Sequence, residues 1–280
     1  MSLLKEKLRS GTAVFLISGV LAAVVVAALI ATLILLNLPE KAPKPEPKEE
    51  VKPSVLEENP LKPEDFVYEG DYLTCTAAPS RLGIDVSQHQ GNIDWEAVKA
   101  AGVSFVIIRI GGRGYGSEGS IYYDDLAQSY YQGAKAAGLD VGAYFFSQAI
   151  TPEEAREEAS FVLEQTYGWE MTMPIVCDWE QLDGQTRTSN IDPRTLTDCM
   201  KAFCQTITDA GKEAMLYFNP DHAQSQFYIE EMAGYDFWLA YYTQWMDYPY
   251  KVDMWQYTNE GSVAGIEGNV DINLYFPEAK

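Results

Sequence analysis

Histidine and cysteine are scarce in this chain of 280 residues, which has only His89 and His222 and four cysteines. Zinc sites draw their ligands from clusters of these residue types, so we expect no metal and no other cofactor. Four cysteines are also too few for a disulfide framework. Cys199 and Cys204 are poor partners for each other, because on a predicted helix they point in different directions. A bridge from Cys75 stays open outside the cell, and buried free thiols are the plainer interpretation for at least two of the four.

Basic residues are few as well. Lysine and arginine number 20 against 41 aspartates and glutamates, and the formal net charge is −21, of which residues 71–280 carry about −19. Binding to a phosphate backbone requires clustered lysine and arginine, and so does docking on anionic lipid by charge. The composition therefore excludes nucleic acid as a partner and charge-driven membrane binding. No glycine-rich dinucleotide fingerprint follows any predicted strand.

Charge is entirely missing from residues 13–36, AVFLISGVLAAVVVAALIATLILL. A helix needs roughly 20 apolar residues to cross a bilayer, whereas a signal-peptide core has about 7–15. Lys5, Lys7 and Arg9 precede the run and favour a cytoplasmic N-terminus over residues 1–12. We interpret 13–36 as a transmembrane signal anchor with everything after it outside the cell. A cleaved signal peptide and a buried core helix are the alternatives.

Large apolar residues are nearly absent from the segment that follows, PEKAPKPEPKEEVKPSVLEENPLKPE at 39–64. Such a segment cannot bury enough surface to fold, and its prolines favour an extended spacer. The sequence thus predicts a linker over 37–70 and a globular, monomeric domain over 71–280.

Short β-branched and aromatic runs alternate with helical patterns in that domain. Five predicted strands are each followed by a helical pattern that ends at glycine, and three more strands follow with gaps too short for a helical crossover. The strands are predicted at 83–87, 105–111, 141–147, 174–180, 213–219, 237–242, 252–258 and 270–276, and the helices at 93–102, 124–138, 151–168, 192–211 and 220–234. This order predicts an α/β fold with a closed eight-stranded barrel, and an open doubly wound sheet is the alternative.

Two carboxylates end the fourth predicted strand, in PIVCDWE. Asp178 and Glu180 lie on one face of that strand, at the end where barrels of this type hold their active sites. Neighbouring carboxylates cannot both ionise freely, which provides a proton donor beside an anion, as a glycosidic bond requires. Asp85 in the first strand and Asp271 in the eighth would be neighbours in a closed barrel. The alternative is a loop pair that caps the following helix.

Aromatic residues near strand ends are candidate sugar-stacking positions: Tyr144, Tyr217, Trp238 and Trp255. Packing in the barrel core is the competing interpretation for each. Trp179 should face away from the carboxylates and pack under the helices, and Trp95 should pack at a helix start. His89 and Gln90 either contact substrate or close a turn.

Six motifs in order, GIDVSQHQG, VGAYFFSQA, PIVCDWE, FWLAYY, MWQYT and GIEGNVDINLYF, resemble glycoside hydrolase family 25, the lysozyme-type N-acetylmuramidases, over residues 81–277. The resemblance implies a flattened (β/α)5(β)3 barrel that cleaves the β-1,4 bond between N-acetylmuramic acid and N-acetylglucosamine in peptidoglycan. It implies Glu180 as general acid with Asp178 as its partner, and Asp85 and Asp271 in the same cluster. A membrane-anchored enzyme facing the cell wall follows from the predicted anchor.

The segment RIGGRGYGSEG at 109–119 departs from the Lys-x-Thr-Glu-Gly pattern of many family members, so their contacts there cannot be transferred. Between retention, inversion and attack by the substrate's own 2-acetamido group, we favour the last, with Asp178 orienting the amide. A non-catalytic wall-binding barrel and a hydrolase of a related glycan such as chitin are the alternative functions.

Overall fold

A computed structural model describes residues 56–277 of the chain. A small antiparallel hairpin precedes a closed barrel, and helices cover the barrel from outside. The strands are β1 (Phe66–Glu69), β2 (Tyr72–Cys75), β3 (Arg81–Val86), β4 (Phe105–Arg113), β5 (Ile121–Tyr123), β6 (Asp140–Ser147), β7 (Ile175–Trp179), β8 (Ala214–Phe218), β9 (Asp236–Ala240), β10 (Met254–Gly261) and β11 (Val270–Tyr275). The α-helices are α1 (Trp95–Ala100), α2 (Ala127–Ala136), α3 (Pro152–Gln165), α4 (Pro193–Asp209) and α5 (Pro220–Ser225).

The barrel contains eight strands and is closed by pairing between β3 and β4, around the order β3-β11-β10-β9-β8-β7-β6-β4. A helix follows each of the first five barrel strands, and none of the α-helices lies between β9 and β11. The predicted eight-stranded barrel is therefore confirmed, and the open sheet is excluded. The short β5 pairs only with the end of β4, outside the predicted pattern.

The last strand differs from the parallel strands of the barrel. β11 runs antiparallel to both of its neighbours, β10 and β3. Residues 262–269 form its whole connection from β10, and a parallel crossover needs a dozen residues or more. The connection of residues 262–269 is therefore too short for β11 to run parallel to β10. As a result, the first residues of β11 lie at the end of the barrel where the other strands finish.

Helix boundaries follow local capping chemistry. Asp94 accepts a hydrogen bond from the Ala97 amide and starts α1, and Pro152 occupies the first turn of α3. The fifth helix is shorter than predicted. The amide of Tyr228 bonds the Thr197 hydroxyl of α4, so it is unavailable to a helical ladder, and the chain continues in a 3-10 turn at Ile229–Met232.

Side chains that alternate along each strand separate an inner core from an outer one. The interior of the barrel is filled by Phe105, Ile107, Met173, Val176, Met215, Tyr217, Trp238, Ala240 and Met254. A larger outer layer lies between strands and helices and includes Trp179, which is 1 % exposed, and Trp95, whose ring packs edge-on against Tyr130. Both tryptophans thus lie where the sequence predicted.

Residues 56–70 correct the predicted linker boundary. Leu56 and Phe66 are buried, Glu58 forms a β-bridge with Tyr250, and the Asn59 side chain donates to the Tyr248 carbonyl. The linker predicted over 37–70 therefore extends too far. Leu56 and Phe66 are ten residues apart, so the average composition of the segment does not reveal that they are buried. The predicted anchor at 13–36 lies outside the described residues, as does the first part of the linker.

Two further observations concern membrane and redox chemistry. Between residues 56 and 277, no helix combines the length and the apolar character that crossing a bilayer would require. Cys75, Cys177, Cys199 and Cys204 are all buried and free, so the bridge left open for Cys75 is not formed.

Candidate active site

Four carboxylates meet at the end of the barrel where the parallel strands finish. Asp85 comes from β3, Asp178 from the end of β7, Glu180 from the residue after Trp179, and Asp271 from the start of β11. All four line one cavity of about 160 Å³. The other lining residues are Tyr144, Tyr217, Trp238, Tyr242, Gln256 and Asn259.

Strand alternation and register explain this convergence. Val176 belongs to the inner core, so Asp178 two residues on also points inward, and Glu180 continues the same phase. Trp179 points outward, where its ring lies 5.5 Å from that of His222. Asp85 and Asp271 are direct partners in the antiparallel register of β3 and β11. The predicted adjacency of the first and last barrel strands is therefore observed.

The Asp85 carboxylate is held by two amides. Gln256 Nε2 and Asn273 Nδ2 each donate to Asp85 Oδ2 at 2.8 Å. An oxygen that accepts two N–H bonds is a poor place for a proton. When Asp85 carries a proton, we therefore assign it to Oδ1.

Aromatic side chains fix the orientation of those two amides. The hydroxyls of Tyr217 and Tyr242 donate to Gln256 Oε1 at 2.9 and 3.0 Å, and Trp238 Nε1 donates to Asn273 Oδ1 at 2.8 Å. Each amide oxygen thus faces donors, which turns its NH2 group toward Asp85. The network is buried except at Tyr242, which is 51 % exposed.

All four carboxyl groups have raised pKa values. Burial is the main cause in each, and it raises the pKa of Asp271 to about 6. The pKa of Asp85 is raised further by Asp271, against the opposing hydrogen bonds of the two amides, and that of Glu180 is also raised by Asp271. Burial and the Glu180 charge hold the pKa of Asp178 well above its usual range. The cluster can therefore keep a proton donor beside an anion near neutral pH.

The Asp178 carboxylate has unused hydrogen-bonding capacity. Its side chain is 5 % exposed, and Oδ1 is buried without a hydrogen-bond partner in the described part of the chain. A buried polar atom without a partner is costly, so such an atom is commonly reserved for a ligand or for catalysis. The carboxylate lines the cavity beside Glu180, where it can accept an N–H group of a ligand.

Arg109 is a nearby cation that was not predicted from the sequence. It extends the inward series of Phe105 and Ile107 along β4, and its Nε donates to the buried Asp124 Oδ2 at 2.8 Å. Its positive charge lowers the pKa of Asp178, against the larger effect of burial. The sequence does contain a signal for this residue: Arg109 is a charged residue at an inward-facing position of an otherwise apolar strand. It is also the first residue of the segment 109–119 that departs from the family pattern.

Of the four predicted sugar-stacking residues, the structure brings three to the cavity. Tyr144, Tyr217 and Trp238 line it, although Trp238 is only 1 % exposed and packs edge-on against Tyr217 at 4.9 Å. Trp255 is elsewhere: it is fully buried in the outer layer, 5.0 Å from the Phe66 ring, and donates to the Tyr241 carbonyl. Met254 belongs to the inner core, so its neighbour Trp255 must face outward.

The residues after β3 close a turn. The Gln90 side chain accepts a hydrogen bond from the Ser87 amide at 2.9 Å, and residues Gln88–Gln90 form a 3-10 helix. Of the two interpretations given for His89 and Gln90, the structure therefore shows the one in which these residues close a turn. Tyr242, Gln256 and Asn259 line the cavity and were not predicted from the sequence, and neither was Asn273, which is buried behind Asp85.

A closed α/β barrel with paired acids at the carboxyl ends of its strands is an arrangement that glycosidases use. The model of glycosyl hydrolases family 25 matches residues 84–266, and the chain belongs to this family.

Individual relatives agree with this assignment. The chain is 28% identical to the autolytic lysozyme of Clostridium acetobutylicum over 201 residues, which cover 69% of this chain and 55% of that protein. It is 27% identical to lysozyme M1 of Streptomyces globisporus, covering 69% of this chain and 67% of the relative. A solved family 25 glycosyl hydrolase from Bacillus anthracis superposes with a TM-score of 0.62 at 19% identity, over 76% of this chain and 95% of the other. This chain thus spans only about half the length of the clostridial lysozyme.

Proposed function

We propose that this chain is a muramidase that hydrolyses the β-1,4 bond between N-acetylmuramic acid and N-acetylglucosamine in peptidoglycan. The observation that carries the proposal is the cavity in which Asp85, Asp178, Glu180 and Asp271 meet. Family membership and the lysozyme relatives support the substrate class.

The carboxylates divide into a donor and a positioning group. Glu180, with its raised pKa, donates a proton to the glycosidic oxygen as the bond to the leaving sugar breaks. The Asp178 carboxylate accepts the N–H of the 2-acetamido group, so that the acetamido carbonyl oxygen attacks the anomeric carbon. Water then opens the cyclic intermediate and gives its proton to Glu180, which restores the acid. The negative charge of Asp271 favours the protonated form of Glu180.

Digestion of purified peptidoglycan tests this function. After digestion, the new reducing ends are reduced with borohydride and identified by mass spectrometry, with chitin as a parallel substrate. Reduced N-acetylmuramic acid ends are expected, absent with the variant Glu180→Gln. Reduced N-acetylglucosamine ends alone would indicate a different cleavage site, and an absence of new ends together with retention on the wall would support a non-catalytic binding barrel.

We also propose that the enzyme is monomeric and anchored by a single N-terminal span over residues 13–36, with the barrel outside the cell. The uncharged run, the basic residues before it and the proline-rich segment after it support this placement. Protease treatment of intact cells followed by membrane fractionation tests it. Full-length chain in the membrane fraction with a protease-sensitive barrel is expected, whereas a shortened, freely released chain would indicate a cleaved signal.

A further inference from the structure

Strand pairing between β6 and β7 stops one residue before Glu180. The last register pair is Ser147 with Trp179, so the next residues, Gln148 and Glu180, fall beyond the ladder. The Gln148 side chain bridges this gap, because its Nε2 donates to the Glu180 carbonyl at 3.0 Å. A side-chain amide thus supplies the bond that the next peptide would have made in a longer sheet.

Every polar atom of that side chain has a defined partner. Gln148 Nε2 also donates to the Ser147 carbonyl at 3.0 Å, and Oε1 accepts from the Thr188 hydroxyl at 2.9 Å. Gln148 is completely buried and Thr188 is 3 % exposed. Two carbonyl acceptors on one side and a hydroxyl donor on the other allow a single orientation of the amide.

Ser147 and Gln148 are themselves anchored from behind. The Ser147 hydroxyl donates to Glu158 Oε2 at 2.6 Å, and the Gln148 backbone amide also bonds the Glu158 carboxylate. Glu158 is fully buried and accepts from Arg113 Nε at 2.7 Å. The amide that contacts Glu180 is therefore fixed to helix α3 by a buried ion pair.

We propose that Gln148 is a positioning residue for Glu180. Its amide fixes the peptide plane that follows Glu180 and ties it, through Thr188, to the loop after β7. That plane sets the direction in which the Glu180 side chain enters the cavity. This inference rests on the proposed role of Glu180 as the acid.

The test compares Gln148→Met with the parent full-length chain, because methionine keeps the length of the side chain without its donors. Displacement of a reacting group by 1 Å can cost about 10²-fold, so we expect kcat to fall roughly 10- to 100-fold with KM within about twofold. The matched control is Thr166→Val, which removes another buried hydrogen bond, to the Val162 carbonyl, away from the cavity lining. Its kcat should equal that of the parent.

Gln148→Glu adds a readout that general destabilisation would not give. Its protonated carboxyl can donate to the Glu180 carbonyl and accept from Thr188, whereas the ionised form repels two carbonyl oxygens. Its activity relative to the parent should therefore recover as the pH falls, and that of Gln148→Met should not. Where the methionine variant fails to fold, Thr188→Val removes the opposite contact and should lower kcat in the same sense.

Amide hydrogen exchange of residues 180–190 keeps this inference separable from the muramidase proposal, because it does not depend on turnover. Faster exchange is expected in Gln148→Met and not in Thr166→Val. Unchanged exchange, or a folded Gln148→Met with the kcat of the parent, would overturn the positioning role. An inactive parent whose loop is loosened by Gln148→Met would refute the proposed activity alone.

Discussion

Replacing Asp271 by asparagine should stabilise the fold at neutral pH while it impairs the site. Burial raises the pKa of this carboxyl from 3.8 to about 6, so the folded state disfavours its ionised form. The penalty is absent below pH 3.8, grows as the pH rises toward 6 and is constant above it. Two pKa units correspond to about 3 kcal/mol, which Asp271→Asn should recover at pH 7 and not at pH 3.5. The substitution also removes the negative charge of Asp271 from the surroundings of Asp85 and Glu180, which further stabilises the folded state.

Urea unfolding of a chain that begins at Lys52 measures this effect at pH 3.5, 5 and 7. For a domain of this size the gain at pH 7 corresponds to roughly 6–12 °C in Tm. The control is Glu164→Gln, which removes an exposed charge from α3. A gain that is equal at all three pH values, or is shared by the control, would refute the argument that burial of this carboxylate is its origin.

Three further outcomes are expected. Glu180→Gln should lower turnover by about 10²–10⁴-fold with the fold intact. The control is Asp183→Asn, which changes an exposed acid in the same loop and should leave turnover unchanged. Near-parental turnover of Glu180→Gln would exclude Glu180 as the acid. Phe66→Ala should lower the free energy of unfolding in urea by roughly 3–5 kcal/mol, whereas alanine should be tolerated at Tyr68, which is 53 % exposed on the same strand. Equal losses of unfolding free energy would contradict the packing of β1 on the barrel. Initial rates on intact walls should rise between about 0.01 and 0.15 M NaCl. The Debye length falls from about 30 to about 8 Å over this range, so salt screens the repulsion between an acidic domain and anionic walls. A steady fall in rate, or an equal rise on uncharged glycan fragments, would rule out that cause.

The barrel and its acids could be predicted because they depend on local pattern. The apolar runs and the spacing of Asp178 and Glu180 each express a strand or helix period. The inward phase of β7 was enough to separate the two carboxylates from Trp179. Adjacency of Asp85 and Asp271 required only the assumption that eight strands close.

Other features were missed, one through an unread strand phase and the rest because they depend on tertiary contacts. Trp255 lies in the outward phase of β10, and its phase could have been read from Met254 and Gln256. The partners of Gln148 come from the loop after β7, and no local pattern encodes that contact. Phe66 packs on Trp255 from a hairpin whose strands have four residues each, too short for alternation to stand out from a polar linker.

Pairing of the first and last barrel strands at the cavity has a consequence for biosynthesis. Asn273 reaches Asp85 across 188 residues of sequence, so a ribosome-bound chain can expose Glu180 long before this contact exists. A partly synthesised or C-terminally clipped chain would carry the acid without the seam that completes its surroundings. The acid would therefore gain its full surroundings only when synthesis of the domain is finished.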